Sequence, residues 1–331
     1  MLSFFQAIII GLVQGVTELF PISSLGHTVV LPQILGWHGV VAAQSRSESY
    51  WLAFVVGLHV ATALALLVFF WREWVRIVKG LIHSIAHRKI ETADERLAWL
   101  LVVATIPAGL TGLAFEHAFR TLFAKPLASS LFLIANGLIL LLGERARRVS
   151  ETREARRAKR LALDSQLAES TGGAGYADSG SGQVDRIYGA HAPFDLPSGK
   201  ERSRALATME FKESVVIGVA QILALLAGIS RSGVTMVAGL MRGLNYEDAA
   251  RFSFLLATPI IMAAGVLKVP DLMGHLGNGI RGQALVGSIA AFIAAYVAIR
   301  FLSRYFETRN LKPFAYYSLG VGVVLSLVFG L

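Results

Sequence analysis

Six stretches of roughly twenty residues run with few or no charges: 51–71, 97–115, 126–143, 250–269, 281–302 and 312–331. About 20 apolar residues span a bilayer as a helix, and lipid offers no partner to an unpaired backbone N–H or C=O. The chain is therefore expected to be an all-α integral membrane protein with six transmembrane helices. Its charged fraction, 16% against about 25% in soluble domains, points the same way. The first stretch runs from Trp51 to Trp71 and ends against Arg72, Glu73 and Arg76. Aromatic residues at both ends suit the two bilayer interfaces. The N-terminus has no basic leader region and its first apolar run carries Gln14, Thr17 and Glu18, so no signal peptide is expected.

Two further apolar segments, 1–36 and 213–249, are broken. Pro21, Gly26 and Pro32 interrupt the first, and Gly228, Gly233 and Gly239 the second. Each reads as a re-entrant helix–loop–helix, which is tolerated at membrane depth only where protein or a wet cavity surrounds it. The breaks are written alike. Ile22-Ser23-Ser24-Leu25-Gly26-His27-Thr28-Val29-Val30 matches Ile229-Ser230-Arg231-Ser232-Gly233-Val234-Thr235-Met236-Val237 at Ile, Ser, Gly, Thr and the last Val, and Gln14 and Gln221 each stand nine residues before the first Ser. Paired interruptions in two halves of a membrane protein point to a binding site between them.

Lys and Arg set the orientation. Segments 72–96, 144–213 and 300–312 hold 6, 13 and 4 of them, whereas 37–50, 116–125 and 268–281 hold 1, 2 and 2. The rich loops are expected in the cytoplasm. Both termini then lie outside, and the two halves insert in opposite senses. The expected organisation is a first repeat over 1–143, a basic cytoplasmic linker over 144–212, and a second, inverted repeat over 213–331. The linker opens with a charged, helix-prone run from Glu144 to Arg160 and turns Gly/Ser-rich between Thr171 and Gln183. Arg147, Arg148, Arg156 and Arg157 could meet lipid headgroups. The net charge of +9 is explained by these loops and calls for no nucleic acid. The chain has no cysteine, which removes disulfides, thiolate catalysis and Cys-bound metal.

Within the broken segments, Glu18 and Arg231 are out of place in apolar surroundings. Ionised groups at membrane depth cost about 2.5–3.5 kcal/mol on insertion scales and are kept where they pair or act. If the two breaks meet, Glu18 and Arg231 are neighbours, either as a structural ion pair or in a polar cavity where Arg grips an anion. Gln14 and Glu18 share a helix face, Pro21 ends that helix, and Ser23, Ser24 and His27 follow at the next helix start. Free N–H groups at a helix start favour phosphate, and the same holds from Ser230 through Ser232 to Gly233. Such a pocket has a nucleophile in Ser24 or His27 and an acid/base in Glu18 or His27. Ser23, Ser232 and Thr28 could equally be satisfied within the helices. His59 is a second intramembrane histidine, ranked behind His27 because His27 shares the motif with Ser24. Glu18 is the only carboxylate near the motif. The cofactor expectation is therefore Mg²⁺ or Ca²⁺ held mainly by substrate phosphates, with Glu18 and Gln14 as its protein ligands.

Gln14 to Glu18 followed by Pro21-Ile22-Ser23-Ser24-Leu25-Gly26-His27, and Ala227-Gly228-Ile229-Ser230-Arg231-Ser232-Gly233-Val234-Thr235, resemble the two signature regions of the BacA/UppP family of bacterial undecaprenyl-diphosphate phosphatases. His59 to Trp71, Ile106-Pro107-Ala108 and Phe252 to Ala257 are similar too, so the resemblance covers nearly all of the chain outside about 145–210. It implies hydrolysis of undecaprenyl diphosphate to the monophosphate and phosphate, recycling of the lipid carrier of cell-wall synthesis, and bacitracin resistance. It implies interlocked inverted repeats in the bacterial inner membrane with a site open to the periplasm. It further implies Glu18 in acid/base or metal chemistry, Ser24 or His27 as nucleophile or its partner, Arg231 on the diphosphate, and Ser230 and Thr235 lining the pocket. Two departures stand out: Gln14 takes an acidic position, and Ala227 takes the Pro that opens the second motif. The partners expected are the polyprenyl diphosphate and membrane lipids, with a homodimer left open.

A lipid-phosphate transporter or flippase would want the same repeat and the same pocket. Phosphatases of the acid-phosphatase-like superfamily also use Ser-Gly-His and Ser-Arg pairs, but they want an Arg-Pro upstream and a His soon after the Ser-Arg. Here there is no Arg-Pro, and no His follows Arg231 before His275.

Overall fold

The computed structural model describes residues 2–44, 50–115, 125–170, 206–274 and 277–331, with backbone only for 150–170 and 207. The described residues hold no strand. The helices are α1 (Phe4–Leu19), α2 (Ser24–Ile34), α3 (His38–Gln44), α4 (Tyr50–Phe69), α5 (Trp71–His87), α6 (Ala93–Ala114), α7 (Pro126–Ser170), α8 (Phe211–Gln221), α9 (Arg231–Met241), α10 (Tyr246–Met273), α11 (Arg281–Thr308) and α12 (Lys312–Gly330). Residues 1–145 and 204–331 form one compact unit and 146–203 another. Of the second unit, the described part is the continuation of α7 to Ser170.

Six helices are long and apolar enough to cross a bilayer: Tyr50–Phe69, Ala93–Ala114, Pro126–Val149, Tyr246–Met273, Arg281–Thr308 and Lys312–Gly330. They coincide with the six expected spans, and the chain is a multi-pass membrane protein. Segment 1–36 is α1 and α2 with a short break, and 213–249 is most of α8, a 3₁₀ turn over Ile222–Leu225, α9 and the first residues of α10. The helical start of the linker is longer than the charged run suggests, since α7 continues to Ser170. The Gly/Ser-rich stretch, most of loop 116–125, and residues 45–49 and 275–276 lie outside the described residues.

Residues 72–96, the basic segment between the first two spans, contain a helix, α5, that starts at Trp71. Charge ends a membrane span without ending helicity; Arg, Glu and Lys are good helix formers. The left-handed Arg88 (φ 53°) stops the helix.

Local chemistry fixes the other boundaries. Ser3 and Gln6 form a reciprocal cap at the start of α1. Pro21 holds Phe20 extended (ψ 139°) and so closes α1 one residue earlier. Thr92 with Glu95 caps α6, and Asn245 caps α10 through the Asp248 amide at 2.6 Å.

Lipid tails are as apolar as leucine, so helices associate in a membrane through close approach of small residues. That is how α1 sits along α11. A β-carbon added at Gly11 would overlap the Gly287 carbonyl, and one added at Gly15 would overlap the Ala291 carbonyl and crowd Ala294. Likewise α8 lies along α6, where Gly218 meets the Ala104 backbone. Helix α4 packs on both α10 and α11. Each broken segment thus leans on a span of the other half. Gly15→Val should force α1 off α11 and cost about 1–3 kcal/mol or more of stability. Thermal unfolding in detergent checks this; an unchanged midpoint would mean the helices can slide apart freely.

Candidate active site

The repeated Ser and Gly are explained by helix capping. Ser23 is the N-cap of α2 and its hydroxyl accepts from the Gly26 amide at 3.3 Å. Ser230 is the N-cap of α9 and accepts from the Gly233 amide at 3.2 Å. Spacing Ser-x-x-Gly is therefore N-cap to N3 in both. Glycine at N3 also lets the loops touch. A β-carbon at Gly26 would come to 3.0 Å of the Gly228 α-carbon. Gly228 itself has φ +119°, a conformation that glycine adopts without penalty, and its amide donates to Ser23 Oγ at 3.1 Å. Ser23 pays backbone strain to hold this turn, with φ at 69°.

One residue the sequence reading did not raise joins the two loops. Asn136, fully buried on α7, donates from Nδ2 to the Pro21 carbonyl (3.0 Å) and to Ser318 Oγ (3.1 Å), and its Oδ1 accepts from the Ser230 amide (2.9 Å). A lone Asn in an apolar span was the available signal.

At the meeting of the loops sits Glu18, 7% exposed. Three side chains donate to its carboxylate and a fourth, His59, faces it. Arg231 Nη2 reaches Oε1 at 3.0 Å. Gln14 Nε2 reaches Oε2 at 3.0 Å, and Ser24 Oγ reaches it at 2.5 Å. His59 Nε2 stands 3.2 Å from the same oxygen. A buried carboxylate without such partners would be several kcal/mol too costly, and hydrogen bonds to an ionised acceptor are the short, strong kind. His59 Nδ1 lies 2.8 Å from the Val55 carbonyl. A carbonyl only accepts, so Nδ1 carries a proton, and an Nε2 this near a carboxylate oxygen requires one further proton between the two.

Gln14, Glu18, Ser24 and Arg231 are therefore brought together, with His59 added. The sequence ranks His59 behind His27; its signal is a histidine inside an otherwise apolar span. His27 turns away from the carboxylate: Nδ1 donates to the Ser23 carbonyl at 2.6 Å, Nε2 lies 3.0 Å from Tyr317 Oη, and the ring stacks on Tyr317. Ser23, Ser230 and Gly233 serve the caps. Ser232 Oγ meets Ser230 Oγ at 3.0 Å. Thr235 Oγ1 donates to the Arg231 carbonyl (2.7 Å) and meets Ser253 Oγ (2.7 Å), while the Ser253 carbonyl accepts from Arg231 Nη1 at 3.3 Å. Ser232 and Thr235 thus brace Arg231 and its helix start, and Ser253 joins them.

Chemically, this arrangement can activate a hydroxyl and receive a phosphoryl group. Ser24 is the first residue of α2, with its oxygen on a carboxylate base. First-turn N–H groups of α2 and α9 are anion donors. Arg231 has five N–H donors, of which the carboxylate and the Ser253 carbonyl take two, leaving others for phosphate oxygens.

Among the described residues the protein's own donors are too few to cage a divalent cation without substrate oxygens. Among the described residues no group of three or more His, Cys, Asp or Glu could hold a metal. Glu18, the lone carboxylate of the cluster, already accepts from Gln14, Ser24 and Arg231, and a dication on it would face the guanidinium at close range.

The family described as bacitracin resistance protein BacA matches residues 7–168 and 187–324. Among similar proteins, undecaprenyl-diphosphatase 2 of Frankia alni is 52% identical over 341 residues, covering 100% of this chain and 99% of its own. An undecaprenyl-diphosphatase of Mycolicibacterium paratuberculosis is 52% identical over 96% of this chain and 94% of its own. One from Granulibacter bethesdensis is 39% identical over 98% and 97%.

Proposed function

The chain belongs to the BacA family of bacitracin resistance proteins, and from this, with the cluster around Glu18, we infer that it hydrolyses undecaprenyl diphosphate to undecaprenyl phosphate and phosphate. The reaction returns the lipid carrier to peptidoglycan synthesis and underlies bacitracin resistance. The observation that carries the reading is Ser24 Oγ at 2.5 Å from a carboxylate oxygen of Glu18, whose other oxygen Arg231 holds at 3.0 Å.

In our reading the terminal phosphate of the diphosphate sits between the α2 and α9 helix starts, with Arg231 on its oxygens. Ser24 Oγ bonds to the terminal phosphorus as the bridging P–O bond breaks. Undecaprenyl phosphate leaves, and the Ser24 proton passes to Glu18. Water then bonds to the phosphorus, the Ser24 Oγ–P bond breaks, and Glu18 returns the proton to Ser24. Phosphate departs carrying both protons of the water. His59 and Gln14 keep the carboxylate of Glu18 aimed at Ser24, while His27 fixes the Ser23 turn through its carbonyl. The site residues Ser230, Ser232, Gly233 and Thr235 hold Arg231 at the phosphate.

A divalent cation belongs in this scheme to the substrate, arriving on the diphosphate. Mg²⁺ or Ca²⁺ titrated calorimetrically into substrate-free protein should bind no tighter than millimolar; saturable binding well below that would place the ion on the chain.

We also read the two halves as inverted repeats with re-entrant loops, in the bacterial inner membrane with the site toward the periplasm. The exchanged packing of α1 on α11 and α8 on α6 supports the repeat, and the distribution of Lys and Arg supports the orientation. The test of function is phosphate release by purified protein in detergent given undecaprenyl diphosphate. A flippase would release none there, because detergent leaves no second compartment.

A further inference from the structure

Helix α5 divides into three faces by its spacing. One is buried: Glu73, Ile77 and Ser84. It is fastened to the body at several points. Arg251 of α10 grips Glu73 through Nε (2.9 Å) and Nη2 (2.7 Å). Trp99 Nε1 donates to Ser84 Oγ at 2.9 Å, and His83 Nδ1 meets Glu95 Oε1 at 2.9 Å. A β-carbon at Gly80 would come to 3.0 Å of the Glu95 amide, so α5 lies tight on the start of α6. The helix cannot roll, and its other two faces stay outward.

Of those, one is an apolar stripe. Trp71, Val75, Val78, Ile82 and Ile85 recur at helical spacing and are 43–62% exposed. Beside it runs a basic stripe of Arg72, Arg76 and Lys79, all exposed. The acid that pairs on this side is Asp94, 3.4 Å from Arg76. The Arg72 guanidinium lies over the Trp71 ring, 5.4 Å from its centroid. Water does not suit the first stripe and a protein core does not suit the second. A bilayer interface suits both: the apolar third dips into the acyl boundary while the cations stay among headgroups. Trp at the end of such a stripe belongs at that depth.

We propose that α5 is an interfacial helix that binds an anionic lipid surface, with Trp71, Val75, Val78, Ile82 and Ile85 in the acyl boundary and Arg72, Arg76 and Lys79 on lipid phosphates. The sign of the charge selects the occupant. An apolar stripe alone would accept any lipid or a second copy of the chain, whereas three adjacent cations favour acidic headgroups and repel their own copies. The site gains a footing from this. Arg251, which holds Glu73, lies two residues before Ser253, whose carbonyl holds Arg231.

The natural absence of cysteine makes the test direct. Ile82→Cys and Lys79→Cys chains, each carrying a nitroxide, are reconstituted at full length into vesicles of phosphatidylcholine with phosphatidylglycerol. The Ile82 label should collide with dissolved oxygen more than with an aqueous nickel chelate, and the Lys79 label the reverse. Aqueous accessibility at both positions would overturn the proposal, as would dipolar coupling between Ile82 labels on two copies, which would make a second chain the occupant. A fluorophore on the Ile82→Cys chain then reads the charge preference. Brominated phosphatidylglycerol should quench it at least about fivefold more effectively than brominated phosphatidylcholine, given about 1 kcal/mol per cation near such a surface. Adding Arg72→Gln, Arg76→Gln and Lys79→Gln should remove the difference while leaving the depth unchanged. Equal quenching by the two lipids in the chain that keeps its cations would overturn the anionic preference.

Discussion

Ser24→Ala should release phosphate from undecaprenyl diphosphate at least about 10⁴-fold more slowly than the natural chain, because removing the attacking atom of a concerted site costs about as much as removing the whole site. The protein should still fold, since Ser24 contributes one hydrogen bond to Glu18 and no cap; Ser23 does the capping. His27→Ala is the informative companion. Its ring bonds the Ser23 carbonyl and Tyr317, and no hydrogen bond joins it to Glu18 or Ser24. It should lose about 10- to 100-fold, through a loosened turn. Phosphate release by both variants in detergent decides between them. A Ser24→Ala chain that still turns over beside a dead His27→Ala chain would make histidine the nucleophile.

Arg231→Lys should lose about 10²–10³-fold, the range for removing one preorganised donor at developing charge. The ammonium of lysine keeps the charge but is a point donor on a flexible stem. The guanidinium holds Glu18 and the Ser253 carbonyl from one plane with donors to spare for a phosphate oxygen, which a single ammonium cannot match. Truncation to Ala is a different experiment. It strands Glu18 in a buried position and should cost about 3–5 kcal/mol of stability, so a dead Arg231→Ala chain says little about binding. Measuring kcat and KM for the lysine variant, with thermal unfolding alongside, separates the two effects. Natural turnover in that variant would remove Arg231 from the diphosphate.

The paired breaks were legible because a membrane span tolerates so few polar residues that two matching interruptions stand out. Their internal spacing was legible as well, although its meaning as N-cap to N3 needed coordinates. The meeting of Glu18 with Arg231 followed from cost: two charges in lipid must find each other or water. His59 could not be ranked above His27 from sequence. A histidine inside a span shows its register on the helix but not which neighbour the helix presents it to, and sharing a motif with Ser24 favoured His27. Asn136 and Ser253 were missed for a related reason, since their partners are backbone atoms of distant loops that carry no side-chain signature. Helix α5 was hidden by composition. Its three faces interleave charge and apolarity so evenly that the stretch looks like a loop after a span.

The seating of α1 against α11 has a bearing on how the protein is made. The helix that carries Glu18 leaves the ribosome well before α11, yet the groove for its Gly11 and Gly15 is supplied by Gly287 and Ala291 of α11. Until then a short segment holding a carboxylate waits without its mate. The nascent chain must shelter it in an insertase or at the bilayer rim, and a premature stop ahead of α11 leaves that first segment with nowhere to dock.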